Sequence, residues 1–299
     1  MFRRSSILVV IAAAVSLSAC ATTSLSSTPA PAPQTTTTTT VAPTTTTIAP
    51  TTTTIAPTTT TTTTTTTIAS TTTVVAVDPL AISAVDPPIL AVGRSGGAET
   101  QRAQQRLLDL GFWLAAPDGN FDLTTQQAVM AFQKYYGLPT DAAIGDQTAT
   151  LMTTLTQRPH GRADAGTLVE IDKGLQVLFF VVNGRAEWIL NVSTGSEIAY
   201  DEPDKNSPGE RQIGESVTRN GLHDVYRERE EGWWEGDLGS IYRPKYFTGG
   251  IAVHGSNNVP DYPASHGCVR VSVPAMDWVW ATGIMPLGTP VWVHEGVPA

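Results

Sequence analysis

Hydrophobic positions along the chain change their spacing three times, and each change marks a different kind of structure. The first apolar run, Ile7 to Leu17, follows Arg3 and Arg4 and leads into small residues ending at Cys20. A run this short between basic and small residues predicts an export leader over residues 1–20, not a membrane-crossing helix. From Ala21 to about Val92 bulky apolar residues are sparse in a threonine-rich background, with TTTTIAP repeated at Thr44–Pro50 and Thr51–Pro57. A seven-residue unit holding one isoleucine buries nothing, so residues 21–92 are expected to form a disordered or polyproline-like stalk open to O-glycosylation.

Past Gly93 the spacing becomes helical. Ala103, Leu107 and Leu110 form one apolar stripe, and Thr125, Ala128, Val129, Phe132 and Tyr136 form a second. A third short helix is expected from about Asp146 to Leu155, after the Gly137-Leu138-Pro139 break, and Asp118-Gly119-Asn120 reads as a tight turn. Residues 93–158 thus predict a small three-helix α domain. From Thr167 the runs LVEID, LQVLFFVV, AEWILNVS and PVWVHE are short, β-branched and aromatic, and turns such as Asn183-Gly184 separate them. One late helix is expected from about Pro274 to Thr282, with proline in its first turn and Gly283 behind it. The fold class is therefore multidomain: a mainly β domain at 166–295, antiparallel or mixed and sandwich-like with one late helix, beside the small α domain.

Charge and cysteine count narrow the chemistry. The 299-residue chain carries a formal charge of −9, and loss of Arg3 and Arg4 with a leader would make it about two charges more negative. Nothing in it forms a basic stripe, which argues against nucleic acid as a partner. Of its two cysteines, Cys20 closes Leu17-Ser18-Ala19-Cys20, which resembles the bacterial lipobox. That resemblance implies a diacylglycerol on the Cys20 sulfur and an exported protein anchored to the outer face of the cell membrane, acting in the cell wall or periplasm; an ordinary signal peptide with an incidental cysteine is the other reading. Lipidation of Cys20 would leave Cys268 a lone thiol with no disulfide partner.

Cys268 lies in HGSNNVPDYPASHGCVR, residues 254–270. An ordinary thiol is only a few per cent thiolate at neutral pH, so a cysteine nucleophile needs a neighbouring imidazole or positive group. His254 ends the apolar run Ile251-Ala252-Val253 and is expected at the end of a strand, and the loop from Gly255 to Ser265 is long enough to return Cys268 to it. Gly267 allows close approach to a substrate, and the N–H groups of Gly267 and Cys268 are candidates for an oxyanion hole. Arg270, two positions past Cys268, shares its face on a strand. Taken singly, such residues are more often packing or solvated surface than chemistry. A cysteine, two histidines and a glycine in one polar loop are an odd way to fill a core.

Two family resemblances follow from these motifs. QRAQQRLLDLGFW and DGNFDLTTQQAVMAFQKYYGLPTDAAIGDQTATLM resemble the type 1 peptidoglycan-binding domain, with Asp122 where that family usually has glycine. The pattern HG-x9-SHGC-V-R resembles the L,D-transpeptidase catalytic signature, and NVSTG at Asn191–Gly195 and LGSIYRPKYFTGGIAVHGS resemble other stretches of that family. On this resemblance Cys268 is the nucleophile, His254 activates it and shuttles protons, and the Gly255 carbonyl orients the imidazole. Ser265, His266, Gly267 and Arg270 belong to the substrate and oxyanion cleft, and Tyr246 lies in a segment resembling the lid. No cofactor and no metal are implied; the partners implied are peptidoglycan stem peptides and glycan, together with the membrane through the lipid anchor, and a monomer is expected. Thr218-Arg219-Asn220-Gly221 departs from the family's usual Thr-Pro-x-Gly turn, and Asp201 to Glu215 reads as a polar insertion. Two further readings stay open: a metallopeptidase using His254, His266 and Cys268 as zinc ligands, for which the spacing is poor, and a non-enzymatic tether between membrane and wall.

Overall fold

A computed structural model describes residues 80–295, so the leader, Cys20 and most of the stalk lie outside the described residues. Helices α1 (Ala98–Asp109), α2 (Leu123–Tyr135) and α3 (Asp146–Thr154) come first. Asp122, the departure from the family pattern, caps α2: its carboxylate accepts the Thr125 N–H at 2.8 Å. A carboxylate supplies at this helix start the acceptor that a glycine lacks. The stalk expected to run to residue 92 ends earlier. Ile89 is buried in the helical core, and backbone bonds tie Ile82 to Thr156 and Val85 to Thr153. Ile82, Val85, Ile89 and Val92 pack on this core at helix-like spacing without forming a helix, since Pro87 and Pro88 interrupt the segment.

The β region has two five-stranded sheets and a hairpin. The first sheet contains β1 (Leu168–Asp172), β2 (Val177–Val182), β3 (Arg185–Asn191), β6 (Gly221–Asp224) and β12 (Pro290–His294), in the order β3-β2-β1-β12-β6. Only the β1–β12 pair within it is parallel. The second contains β7 (Arg227–Glu228), β8 (Trp233–Gly236), β9 (Gly239–Thr248), β10 (Ile251–Ser256) and β11 (Val269–Ser272), with β10 and β11 parallel. A separate hairpin joins β4 (Ala199–Pro203) and β5 (Arg211–Glu215), and α4 (Val273–Thr282) follows β11. Asn183 and Gly184 both take positive φ, 51° and 78°, as the tight β2–β3 turn requires. Ser272 caps α4, and Gly283 ends it in the left-handed conformation.

Strand β2 joins the two halves. Its run Val177-Leu178-Phe179-Phe180-Val181 shows no polar alternation because both faces are covered. Val177, Phe179 and Val181 pack with Leu107, Phe112 and Phe132 of the helical segment, whereas Leu178 and Phe180 pack with Val253, Val269 and Met276. The helical segment therefore shares a core with the first sheet. Backbone bonds from Trp113 N–H to Ile189 O and from Ile189 N–H to Gly111 O reinforce the junction.

Lys134 sits in the same junction. Its ammonium is buried and donates to the carbonyls of Gln176 at 3.2 Å and Val192 at 3.0 Å. Desolvation, opposed by Asp261, pulls its pKa down to about 7. The unfolded chain holds this proton up to about pH 10.4 and the folded chain loses it from about pH 7, so stability rises with pH through this window. Urea midpoints should show a gain of about 1.5 kcal/mol between pH 7 and 8.5. In Lys134→Met that slope should vanish, and its persistence would mean the ammonium is not desolvated.

Candidate active site

The parallel register of β10 and β11 fixes which side chains meet. Val253 pairs with Val269, His254 with Arg270, and Gly255 with Val271. Alternation then sends Val253, Val269 and Val271 into the core and His254, Cys268 and Arg270 to the opposite face. There they line one cleft of about 960 Å³, which Tyr246, Ser265 and His266 line as well. His254 lies within β10 and not at its end, because the strand continues to Ser256. Gly255 faces the core, where a Cβ would come within 2.8 Å of Tyr242 and 3.1 Å of Met276 on α4. Only glycine lets α4 pass this close.

The backbone around Cys268 is held on several sides. Asn191–Gly195 runs beside it: Ser193 and Arg270 exchange backbone bonds at 3.0 and 3.2 Å, and Ser265 N–H donates to Thr194 O at 3.0 Å. Ser265 Oγ accepts the Gly267 N–H at 3.0 Å and donates to the Cys268 carbonyl. This corrects one expectation: the Gly267 amide is already bonded, so the Cys268 amide is left as the candidate oxyanion donor of the two. Gly267 holds φ 127°, which a side chain would resist.

Thr218, part of the turn that departs from the family pattern, is fully buried and bridges two loop segments of this scaffold. Its hydroxyl accepts from Gly195 N–H at 2.9 Å and donates to Gly267 O at 2.7 Å. Thr218→Val should strand both backbone groups and lower unfolding free energy by about 2 kcal/mol or more. Chemical denaturation checks this; an unchanged midpoint with an unchanged slope would refute the bridge.

Burial sets the protonation of the pair. His254 is 3% exposed. Desolvation first, then the Arg270 charge, pulls its pKa down to about 4, while the bond to Gly255 opposes them. Its Nδ1 lies 2.8 Å from the Gly255 carbonyl, and a carbonyl only accepts, so Nδ1 carries the proton and Nε2 the free lone pair. The Cys268 thiol is half-buried. Desolvation pushes its pKa up, opposed by a bond from the Ala252 amide and by the charge of Arg270. The resting pair is therefore imidazole and thiol, not an ion pair.

The remaining expectations divide. His266 is held by Glu202 at 3.0 Å and stacks edge-on against Tyr200. Both partners lie on β4, so the stretch expected to be a polar insertion contributes to the cleft wall. Its strands alternate exposed and half-buried residues, a period-two signal masked by their polarity. Tyr246 lines the cleft but is 6% exposed in β9, which pairs there with both Ala252 and Arg227. A strand bonded on both sides is not a lid. The β8–β9 hairpin also lines the cleft, and its tip meets the β4–β5 loop: Lys205 N–H donates to Asp237 O at 2.9 Å, and Asn206 Nδ2 to Asp237 Oδ1 at 2.8 Å. His254, His266 and Cys268 do not converge as ligands, and among the described residues no group of three or more His, Cys, Asp or Glu could hold a metal ion.

Known proteins share this architecture. The family profile of the L,D-transpeptidase catalytic domain matches residues 166–293, and that of a peptidoglycan binding domain matches residues 96–152. A crystal structure of the L,D-transpeptidase (residues 123–326) from Xylanimonas cellulosilytica is 41% identical, with a TM-score of 0.62, covering 71% of this chain and 100% of the other. One from Stackebrandtia nassauensis is 20% identical, with a TM-score of 0.39, covering 72% and 99%. A curated relative, the N-acetylmuramoyl-L-alanine amidase CwlM of Mycobacterium tuberculosis, is 38% identical over 65 residues, which are 22% of this chain and 16% of that protein. The chain thus spans about a sixth of that curated relative's length. Identity of 41% over the whole of the crystallised Xylanimonas chain, with the profile spanning both His254 and Cys268, leads to one conclusion: the chain belongs to the L,D-transpeptidase family.

Proposed function

We propose that this chain is a cell-wall L,D-transpeptidase that works through a Cys268 thioester. The observation that carries the reading is the His254 imidazole, fixed by the Gly255 carbonyl with Nε2 unprotonated, on the same cleft face as Cys268. Nε2 takes the thiol proton as sulfur attacks the carbonyl before the terminal D-Ala of a tetrapeptide stem. The C–N bond breaks, the proton passes to the leaving amine, and D-Ala departs. The side-chain amine of a neighbouring stem then attacks the thioester and loses its proton through His254, and the thiol is restored. The Cys268 amide supports the oxyanion, and Ser265, His266 and Arg270 shape the cleft. No cofactor enters. Carbapenems should acylate the same sulfur.

The helical segment would hold the enzyme on polymeric peptidoglycan and raise the local stem concentration. Lipidation at Cys20 would place the protein, as a monomer, on the outer face of the cell membrane, with the stalk giving reach into the wall. The test is incubation of the full chain with purified tetrapeptide muropeptides and mass spectrometry of the products. Dimers with loss of D-Ala support cross-linking, and tripeptides alone mean that water is the acceptor and the enzyme an L,D-carboxypeptidase. Unchanged substrate would favour a non-enzymatic wall tether.

A further inference from the structure

Among the described residues, two arginines on the cleft wall have no ionic partner although the chain is acidic. Arg227 and Arg229 flank Glu228, and an extended backbone sends them to one face and Glu228 to the other. Glu228 is satisfied on its side by the buried Lys245 at 2.7 Å. Arg243, further along β9, is likewise satisfied by Asp277 at 2.8 Å. Among the described residues no ion pair involves Arg227 or Arg229. Each lies instead on an aromatic ring that lines the cleft: Arg227 is 3.9 Å from the Tyr246 centroid, and Arg229 is 3.7 Å from that of Trp234. The Arg229 Nε is buried with no hydrogen-bond partner.

Stacking holds a guanidinium plane in place while leaving its N–H edge free, which suits a planar anion. Tyr246, Trp234 and both arginines line the same cleft as Cys268. The other charged groups of the cleft include Glu215 and Asp237 on the two hairpins and Arg219 and Arg270. With Arg227 and Arg229, positive groups dominate inside a chain of formal charge −9.

We propose that Arg227 and Arg229 form a clamp for a free carboxylate of the donor stem peptide, next to the bond that Cys268 attacks. The clamp rests on the transpeptidase reading and adds a selection: it admits stems whose acidic residues keep their carboxylates and disfavours stems in which these are amidated. An amide offers no charge to the guanidiniums and brings N–H groups against N–H groups.

The test separates binding from chemistry. Full chain carrying Cys268→Ala is titrated calorimetrically with two tetrapeptide stems that differ only in whether the carboxylates of their acidic residues are free or amidated. The free stem should bind about tenfold to a hundredfold more tightly, with the advantage shrinking in added salt. Arg227→Gln, at an exposed position, should remove a large part of the advantage, and Arg227→Gln with Arg229→Gln nearly all of it. Neither should weaken the amidated stem. With Cys268 intact the same change should enter KM and leave kcat nearly unaltered. Equal binding of the two stems, a preference that survives the double substitution, or no measurable binding of either at millimolar concentration overturns the clamp. Cross-linked product without preference sinks the clamp and spares the transpeptidase, whereas preference without product does the reverse.

Discussion

Cys268→Ala is expected to abolish D-Ala release from tetrapeptide stems, by at least about a thousandfold, while leaving the fold intact. Loss of a nucleophile removes the covalent route itself, and what remains comes from binding and oxyanion contacts. The small cost in stability follows from position: the sulfur is half-buried at the cleft, where it meets only backbone groups, the Ala252 amide and, at 3.9 Å, the Gly250 carbonyl. The packing below belongs to Val269 and Val271. Mass spectrometry of the parent mixed with a carbapenem should show one adduct on the peptide containing Cys268, absent from the variant. The free thiol should react sluggishly with iodoacetamide at pH 7 and faster as pH rises, since burial pushes its pKa up and His254 is already neutral. Fast, pH-independent alkylation between pH 6 and 9 would mean a pre-formed thiolate and would contradict the imidazole–thiol resting pair.

What the sequence made legible was local. HG and SHGC are contiguous, so their chemistry could be named before their geometry, and the register of two parallel strands then joined them. The late helix announced itself through Pro274 and Gly283, its start and stop signals. Relations between distant positions were not legible. Thr218 meets Gly267 across 49 residues and Glu202 meets His266 across 64, and no spacing rule links such pairs. Nothing in the sequence singles out Arg227 and Arg229, whose place on Tyr246 and Trp234 appears only in the fold. The end of the stalk was misplaced for a related reason: Ile82, Val85 and Ile89 form no element of their own beside Pro87 and Pro88, and they gain order from packing on the helical core. The oxyanion expectation for Gly267 failed on a single hydroxyl, that of Ser265.

His254→Gln is expected to slow acylation by about a hundredfold to ten-thousandfold, the range for loss of a positioned general base. Its pH behaviour tests the mechanism more sharply than its magnitude. With the imidazole pKa pulled to about 4, the parent should keep its base deprotonated down to about that pH, and activity should fall only below it. An ordinary imidazole would begin to fail near pH 6.5. The same burial has a thermodynamic signature of defined sign. Between pH 6.5 and 4 the unfolded chain binds a proton at this position and the folded chain does not, so stability is full above 6.5 and is lost as pH falls toward 4. The loss amounts to about 3 kcal/mol, and the glutamine variant should lack that part of the acid destabilisation. Parallel urea titrations of parent and variant at pH 7, 5.5 and 4.5 measure it, and other acid-sensitive groups cancel in the difference. If the two curves stay parallel while activity collapses, His254 is catalytic without being desolvated, and the neutral resting pair must be abandoned. If the difference appears and the acid limb of activity also lies near pH 4, one buried imidazole accounts for both, and the cleft charges its base only at the expense of the fold.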